Sequence, residues 1–437
     1  MNRRKFIASG SIAAAAFTIV PRHVIGDAGF IAPSDTLNIA SIGAGGICQA
    51  YIRGVESENI VALCDVDDTR ASEMYNKYPN ANRYRDFRKM LEQEKNIDAV
   101  IVGTPDHTHT VAAVAAMQLG KHLYCAKPLT RTIAEARVLA KTAAESGVAT
   151  QMSTQQNASD DHRVLQEMIE SGAIGTVEEV HLWSNRPIWP QGIERPEETP
   201  AVPATLDWNL WLGPAPYRPY HPAYVPFKWR GWWDFGTGAL GDMGCHGFDP
   251  IYKALKLTQP TAVEASATPI NKETFPSGSI VHYEFPAREG LPPVKLTWYD
   301  GGLTPPRPEE LPDNESMNFG SGGTLYVGTK GKIISTATGN KPRLIPAKRM
   351  EAYNPPEPYL DRSIGHYKEW IEACKGGKPA GAQFSYGAPL TEMVLLGNIA
   401  LRVPAKLQWD YENMNFTNNE DANQYIEEPY REGWALK

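Results

Sequence analysis

The chain has 437 residues and a formal net charge of -7, with acidic and basic side chains interspersed. That length exceeds what one hydrophobic core usually supports, so two domains are expected. With no basic field to meet a phosphate backbone, nucleic acid is excluded as an ordinary electrostatic partner. Eleven Trp and 35 Pro are many for a plain nucleotide-binding fold, and both types crowd into residues 183–233.

In chain order, the first feature is Asn2-Arg3-Arg4-Lys5-Phe6-Ile7, a paired-arginine head on an apolar run that lasts to Val20. This pattern resembles a twin-arginine export signal, with cleavage expected between Ile25 and Phe30. The run falls short of the roughly 20 residues of a membrane span, and Pro21-Arg22-His23 ends it. The mature chain is therefore expected in the periplasm, with no stable membrane span. A Sec signal, or a basic start on a buried helix, are the competing readings. Cys48, Cys64, Cys125, Cys245 and Cys374 are odd in number and show no metal-ligand or disulfide spacing. They read as free, mostly buried thiols, which suits folding before export.

Beyond residue 33 the apolar pattern alternates between strand and helix, the arrangement of a doubly wound parallel sheet. Strands are predicted at 37–42, 60–64, 99–102, 122–125 and 148–152, and helices at 47–55, 69–77, 110–119 and 133–145. Thr132 and Glu135 form a capping box for the last helix, and Gly147 stops it. From about Val177 the texture becomes that of a mainly antiparallel open sheet, with strands at 180–183, 281–285 and 294–298 and a hairpin around 328–331. Helices follow at 364–374 and 390–401, while the segment 186–228 reads as a binding loop or interface arm. The division predicted is signal and linker at 1–33, an α/β Rossmann domain at 34–157, and an α+β domain for substrate binding and oligomerisation at 158–437.

Gly43-Ala44-Gly45-Gly46-Ile47-Cys48 follows the first strand and opens the first helix, where a G-x-G-x-x-G turn presents backbone amides to a pyrophosphate. Cys48 replaces the third glycine and is small enough for the same packing. Asp65 ends the second strand 20 positions after Gly45, where a carboxylate accepts ribose hydroxyls and repels a 2'-phosphate. NAD is thus favoured over NADP, although Arg70 is nearby. A bare helix-capping role is the bland alternative for Asp65.

The next two strands end in Gly103-Thr104-Pro105-Asp106-His107-Thr108-His109 and Cys125-Ala126-Lys127-Pro128. Ligands of open α/β sheets bind beyond such ends, which makes Thr104, Pro105, His109 and Lys127 candidate cofactor contacts. Lys127 can also take a hydroxyl proton as hydride leaves. Asp242 and His246 stand at i and i+4 among glycines, so on a helix they share a face. There the imidazole can relay a proton while the carboxylate orients it or a sugar hydroxyl. The bland reading is a core histidine on a capped helix. A metal would need a third ligand, for which His221 and His366 are arbitrary choices, and none is expected. The run Trp229-Arg230-Gly231-Trp232-Trp233-Asp234-Phe235 offers indole faces for a pyranose, or else core or interface.

This order of motifs, with Gly120-Lys121-His122 between the Thr-Pro and Lys-Pro turns, resembles the glucose-fructose oxidoreductase, inositol dehydrogenase and MocA family (Gfo/Idh/MocA) over most of the mature chain. The resemblance implies catalytic roles for Lys127, Asp242 and His246, a tightly held cofactor, and hydride transfer from a secondary ring hydroxyl of a sugar or glycoside. It fails at Ala126, where the family carries glutamate. Two other functions are compatible: a redox-neutral glycosidase similar to glycoside hydrolase family 109, and a non-catalytic carbohydrate-binding protein. A sheet with an uncovered face also suggests a homo-oligomer, dimer or tetramer.

Overall fold

The computed structural model describes residues 36–317 and 319–436. The expected signal and its cleavage site lie outside the described residues.

Strands β1 (Asn38–Ile42), β2 (Asn59–Cys64), β3 (Asn82–Tyr84), β4 (Ala99–Val102), β5 (His122–Cys125) and β6 (Thr150–Met152) form one sheet, ordered β3-β2-β1-β4-β5-β6. Every pair in it is parallel. Helices α1 (Cys48–Gly54), α2 (Asp68–Lys77), α3 (Phe87–Gln93), α4 (His109–Gln118) and α5 (Ile133–Ser146) make the crossovers. Covered on both faces, β4 is buried at every residue, so its Ala-Val-Ile-Val run shows no alternation. The capping box of Thr132 and Glu135 is formed, and Gly147 closes α5 in the left-handed region. Strand order reverses between β1 and β4, which opens a crevice at their carboxyl ends. β3 and α3 extend the sequence-based expectation: Asn82-Arg83-Tyr84 is a three-residue edge strand without apolar alternation.

The rest of the chain builds a nine-stranded sheet. It follows α6 (Asp160–Glu170) with β7 (Val177–Ser184), then α7 (Trp208–Leu212) and α8 (Gly238–Ala254). Next come β8 (Ala262–Ala267), β9 (Ser279–Phe285), β10 (Val294–Tyr299), β11 (Gly322–Gly328), β12 (Gly331–Thr336) and β13 (Arg343–Ile345). Helices α9 (Ala347–Glu351), α10 (His366–Cys374) and α11 (Phe384–Arg402) precede β14 (Leu407–Asp410), β15 (Asn415–Phe416) and α12 (Glu420–Asn423). The strand order is β13-β12-β11-β7-β10-β9-β8-β14-β15. Neighbours are antiparallel except β7 and β10, which run parallel.

α8 and α11 cover one face of this sheet, over buried Tyr283, Trp298 and Phe285. α8 approaches closely because Gly247 has no side chain; a Cβ there would stand 2.5 Å from Leu182 on β7. α11 also packs on α5, where Arg137 grips the buried Glu392 at 2.5 and 2.9 Å. That two-pronged ion pair ties α5 of the first sheet's layer to α11 over the second sheet. Much of the tryptophan- and proline-rich segment makes its own core, in which Trp208, Trp211, Tyr224, Trp232 and Phe235 pack together. All five cysteines are buried and unpaired. No described helix is long and apolar enough to cross a membrane.

Candidate active site

A cavity of about 820 Å³ lies where the carboxyl ends of the parallel strands face α8. At its first end the wall is the turn after β1. Gly43 has φ +97°, and a Cβ on it would come 2.7 Å from the carbonyl oxygen of Gly103, so only glycine lets β1 and β4 end side by side. Cys48 replaces a glycine without loss of fit, because its thiol packs on the bare backbone of Gly103 and donates to the Gly43 carbonyl at 3.0 Å. Burial pushes that thiol up to about 12, so it serves packing.

Asp65 is fastened at the cavity edge by the amides of Ala44 (2.8 Å) and Asp67 (3.0 Å). Burial pushes its carboxyl up and the amides oppose this. The helix cap is Asp67, which accepts from the Thr69 amide, so Asp65 is not committed to capping. Gly43, Gly45, Gly46, Ile47, Asp65, Thr104 and Pro105 line the cavity. Ala44 and Cys48 are buried behind it. A tight glycine turn beside an acidic strand end, bordering a cavity of this volume, fits a dinucleotide.

His109 differs from expectation. It is fully buried, with one ring nitrogen 2.9 Å from the Pro128 carbonyl oxygen and the other 2.9 Å from that of Thr104. Its ring turns into the protein because the short turn at 106–108 starts α4 with this residue facing the neighbouring strand end. It therefore positions the Lys127-Pro128 turn and does not line the cavity.

At the other end Lys127, Asp242 and His246 share the wall. The Lys127 backbone amide donates to Ser153 Oγ at 2.9 Å. Its ammonium donates to the Asp242 backbone carbonyl and to Asp242 Oδ1, the latter at 3.0 Å. Ala126 also lines the cavity, and Asp242 holds the lysine beside it. Two further cations reach the same carboxylate: Arg186 Nε at 3.0 Å from Oδ2 and Arg230 Nε at 3.4 Å from Oδ1. Burial favours the neutral acid, but Lys127, Arg230 and Arg186 outweigh it and hold Asp242 well below the usual carboxylate range.

His246 lies one turn along α8. Burial, reinforced by the Lys127 charge, pushes its imidazole down to about 3. Its Nδ1 is buried and has no hydrogen-bond partner among the described residues. The site thus joins a neutral imidazole, an ammonium clamped by a carboxylate, and a cavity that reaches the glycine turn, which is equipment for moving a proton from an alcohol. Asp106 also faces the cavity and accepts from the Thr237 hydroxyl at 2.6 Å. His366 lies elsewhere, between Tyr124 and Gln151, and His221 receives the Ala223 amide. Of the aromatic run, Trp229 and Arg230 border the cavity while Trp232 is fully buried.

The sequence patterns did not single out Arg186, and they registered Asp106 only as a member of the strand-end run 103–109 and Arg230 only as a member of the aromatic run. None of the three stands at a diagnostic spacing from the glycine turn or the Asp-His pair.

Comparison with known proteins agrees with this geometry. Residues 37–154 match the "Oxidoreductase family, NAD-binding Rossmann fold", and residues 163–287 and 317–436 match the "Oxidoreductase family, C-terminal alpha/beta domain". The chain is 28% identical over 152 residues to inositol 2-dehydrogenase of Salmonella typhimurium, a stretch covering 33% of this chain and 45% of that enzyme. It is 29% identical over 148 residues to D-glucoside 3-dehydrogenase of Escherichia coli, covering 33% and 42%. The matched stretch thus spans under half the length of these curated relatives. In fold it is similar to the WlbA dehydrogenase of Bordetella pertussis, solved with NADH and UDP-GlcNAcA, with TM-score 0.62, 16% identity, and coverage of 86% of this chain and 99% of that one. It is similar also to aldose-aldose oxidoreductase of Caulobacter crescentus, with TM-score 0.56, 16% identity and coverage of 86% and 100%. With both of its domains matched around one shared cavity, the chain belongs to the Gfo/Idh/MocA oxidoreductase family.

Proposed function

We propose that this protein is an NAD-dependent oxidoreductase acting on a secondary ring hydroxyl of a sugar or glycoside. The observation that carries the proposal is the convergence of Lys127 and the neutral His246 on the cavity that the glycine turn borders. When bound, NAD supplies the hydride acceptor. His246, which lines the cavity, takes the hydroxyl proton. The Lys127 ammonium, clamped by Asp242, faces the same oxygen and stabilises the negative charge it carries once its proton has left, until the carbon-oxygen double bond forms. Asp242 orients Lys127 and stays ionised throughout.

NAD is preferred to NADP in this reading, since a 2'-phosphate would meet the Asp65 carboxylate. Tight retention is supported by a clamp over the end of β2. There Leu206 pairs with Asp67, the backbone amide of Asp207 donates to the Val66 carbonyl at 2.9 Å, and that of Asp68 donates to the Thr205 carbonyl at 3.1 Å. Leu206, Leu210 and Trp211 from this segment line the cavity, as does Trp434 near the carboxyl terminus. Twin-arginine export to the periplasm belongs to the same proposal, supported by five unpaired cysteines that suit folding before transport. So does homo-oligomer formation through the open face of the nine-stranded sheet, where His282 and Lys295 are exposed.

The test is incubation with NAD and a panel of glycosides in deuterated water. Appearance of NADH, or of reduced cofactor still bound, is the expected result. Cleavage with deuterium at C2 and no net reduction would replace the reading by the redox-neutral glycosidase. Absence of both would leave a carbohydrate-binding protein.

A further inference from the structure

Charge at the α8 end of the cavity does not balance. Lys127, Arg186 and Arg230 converge on Asp242, and one carboxylate neutralises only one of them. Asp106 is the other acid in this part of the wall; even with it fully ionised, three cations face two anions, and His246 adds no charge. An oxidised nicotinamide brings a further positive charge. Surplus cations in a partly enclosed, poorly solvated space draw an anion in.

The two guanidinium groups are also arranged to receive one. Arg186 uses Nε on Asp242 and Nη1 on the Asn185 side-chain oxygen at 2.6 Å. Arg230 uses Nε on Asp242 and Nη1 on the Phe227 carbonyl at 3.2 Å. Nη2 of each has no partner among the described residues. Arg230 is held in place by the rings of Trp229 and Phe227, 4.3 and 4.6 Å from its central carbon. Both side chains are about one-fifth exposed, at 21% and 19%, and both line the cavity. A ligand can therefore reach them, and little ordering remains to be done when it does. The dinucleotide's own phosphates do not account for the surplus, because their place is at the glycine turn after β1.

We propose that the substrate is an acidic sugar, whose carboxylate or sulfate is held by the free Nη2 groups of Arg186 and Arg230 while a ring hydroxyl faces Lys127 and His246. The placement of the hydroxyl rests on the oxidoreductase reading above; the anion site does not. Planar guanidinium forks match both anions, and each such charged hydrogen bond contributes about tenfold or more in affinity.

The experiment titrates the full chain, as purified with its cofactor, with methyl glucoside, methyl glucuronide and methyl glucoside 6-sulfate. Heat of binding and cofactor reduction are followed in parallel. Expected is tighter binding of at least one acid than of the neutral sugar by about tenfold or more, the two acids showing which anion is preferred. Arg186→Gln and Arg230→Gln should each lower the ratio of acid to neutral affinity by about tenfold, a ratio that a loss of folded protein does not alter. Acid preference without reduction of the cofactor by any sugar supports the anion site and overturns the oxidoreductase reading. Reduction of the cofactor with neutral and acidic sugars bound alike overturns the acidic substrate and leaves that reading standing. An acid preference that survives both substitutions, or failure of all three sugars to bind, also overturns it.

Discussion

At the glycine-turn end of the cavity the chemistry is carried mainly by backbone, whereas at the α8 end it is carried by side chains from four separate stretches of chain. The first end depends on conformations that one residue type adopts, as Gly43 shows by standing against the Gly103 carbonyl. The second depends on mutual neutralisation: Asp242 is tolerable in the wall because Lys127, Arg186 and Arg230 surround it, and they are tolerable together because it is there. Damage to the first end should empty the site, while damage to the second should leave it loaded and idle.

The largest expected effect tests that separation. His246→Ala removes the proposed proton acceptor, and loss of a positioned acid-base group lowers kcat by about 10²–10⁴-fold. Cofactor content, read after denaturing the purified protein, should stay at the parent level. A variant that loses the dinucleotide along with its turnover would show that the two ends are not separable. Gly43→Ala is the converse. Forcing φ +97° on alanine and pressing its Cβ against the Gly103 carbonyl should lower stability by about 1–3 kcal/mol. Denaturant unfolding measures the loss, and the purified variant should carry little cofactor. A fully loaded Gly43→Ala protein of parental stability would remove the glycine turn from the argument.

The same contrast explains what could be read from the sequence. Motifs made of consecutive residues were legible: the glycine turn, the strand-end carboxylate of Asp65, the Asp-His pair on α8, and the capping box of α5. Each is a local conformational demand written into adjacent positions. Features made by convergence were not. Arg186 heads the proline-rich segment and Arg230 sits within the aromatic run, with no spacing to connect either to Asp242; only the chain path from β7 to α8 brings them together. His109 misled for a related reason. Its position after the β4 turn is that of a cofactor contact, but whether the imidazole faces the cavity or the neighbouring strand end depends on a carbonyl at Pro128, which sequence distance hides. In the fold, apolar runs such as β4 and alternating strands such as β9 were found, whereas the edge strand β3 and the inner strand β8 were not, because their short or weakly apolar segments carry too little pattern. The parallel pairing of β7 with β10 inside an otherwise antiparallel sheet was likewise invisible, since pairing direction leaves no mark on alternation.

The last expected effect concerns protons, and it distinguishes a neutral His246 from a charged one. In the unfolded chain a histidine takes up its proton near pH 6.5. In the folded protein His246 does so only near 3, because burial and then the Lys127 charge disfavour imidazolium. Between those values the unfolded state binds the extra proton, so the contribution of His246 to stability falls as pH falls, by about 1.4 kcal/mol per pH unit, and is constant above 6.5. His246→Gln removes that dependence without touching other groups that titrate in the same window. The difference in unfolding free energy between variant and parent should therefore shift in favour of the variant by about 1.4 kcal/mol for each unit from pH 6 to pH 4. Urea denaturation at a series of pH values measures it directly. Parallel curves for the two proteins would mean that His246 carries its proton in the folded state as readily as in the unfolded one. The proton from the sugar hydroxyl would then need a different acceptor.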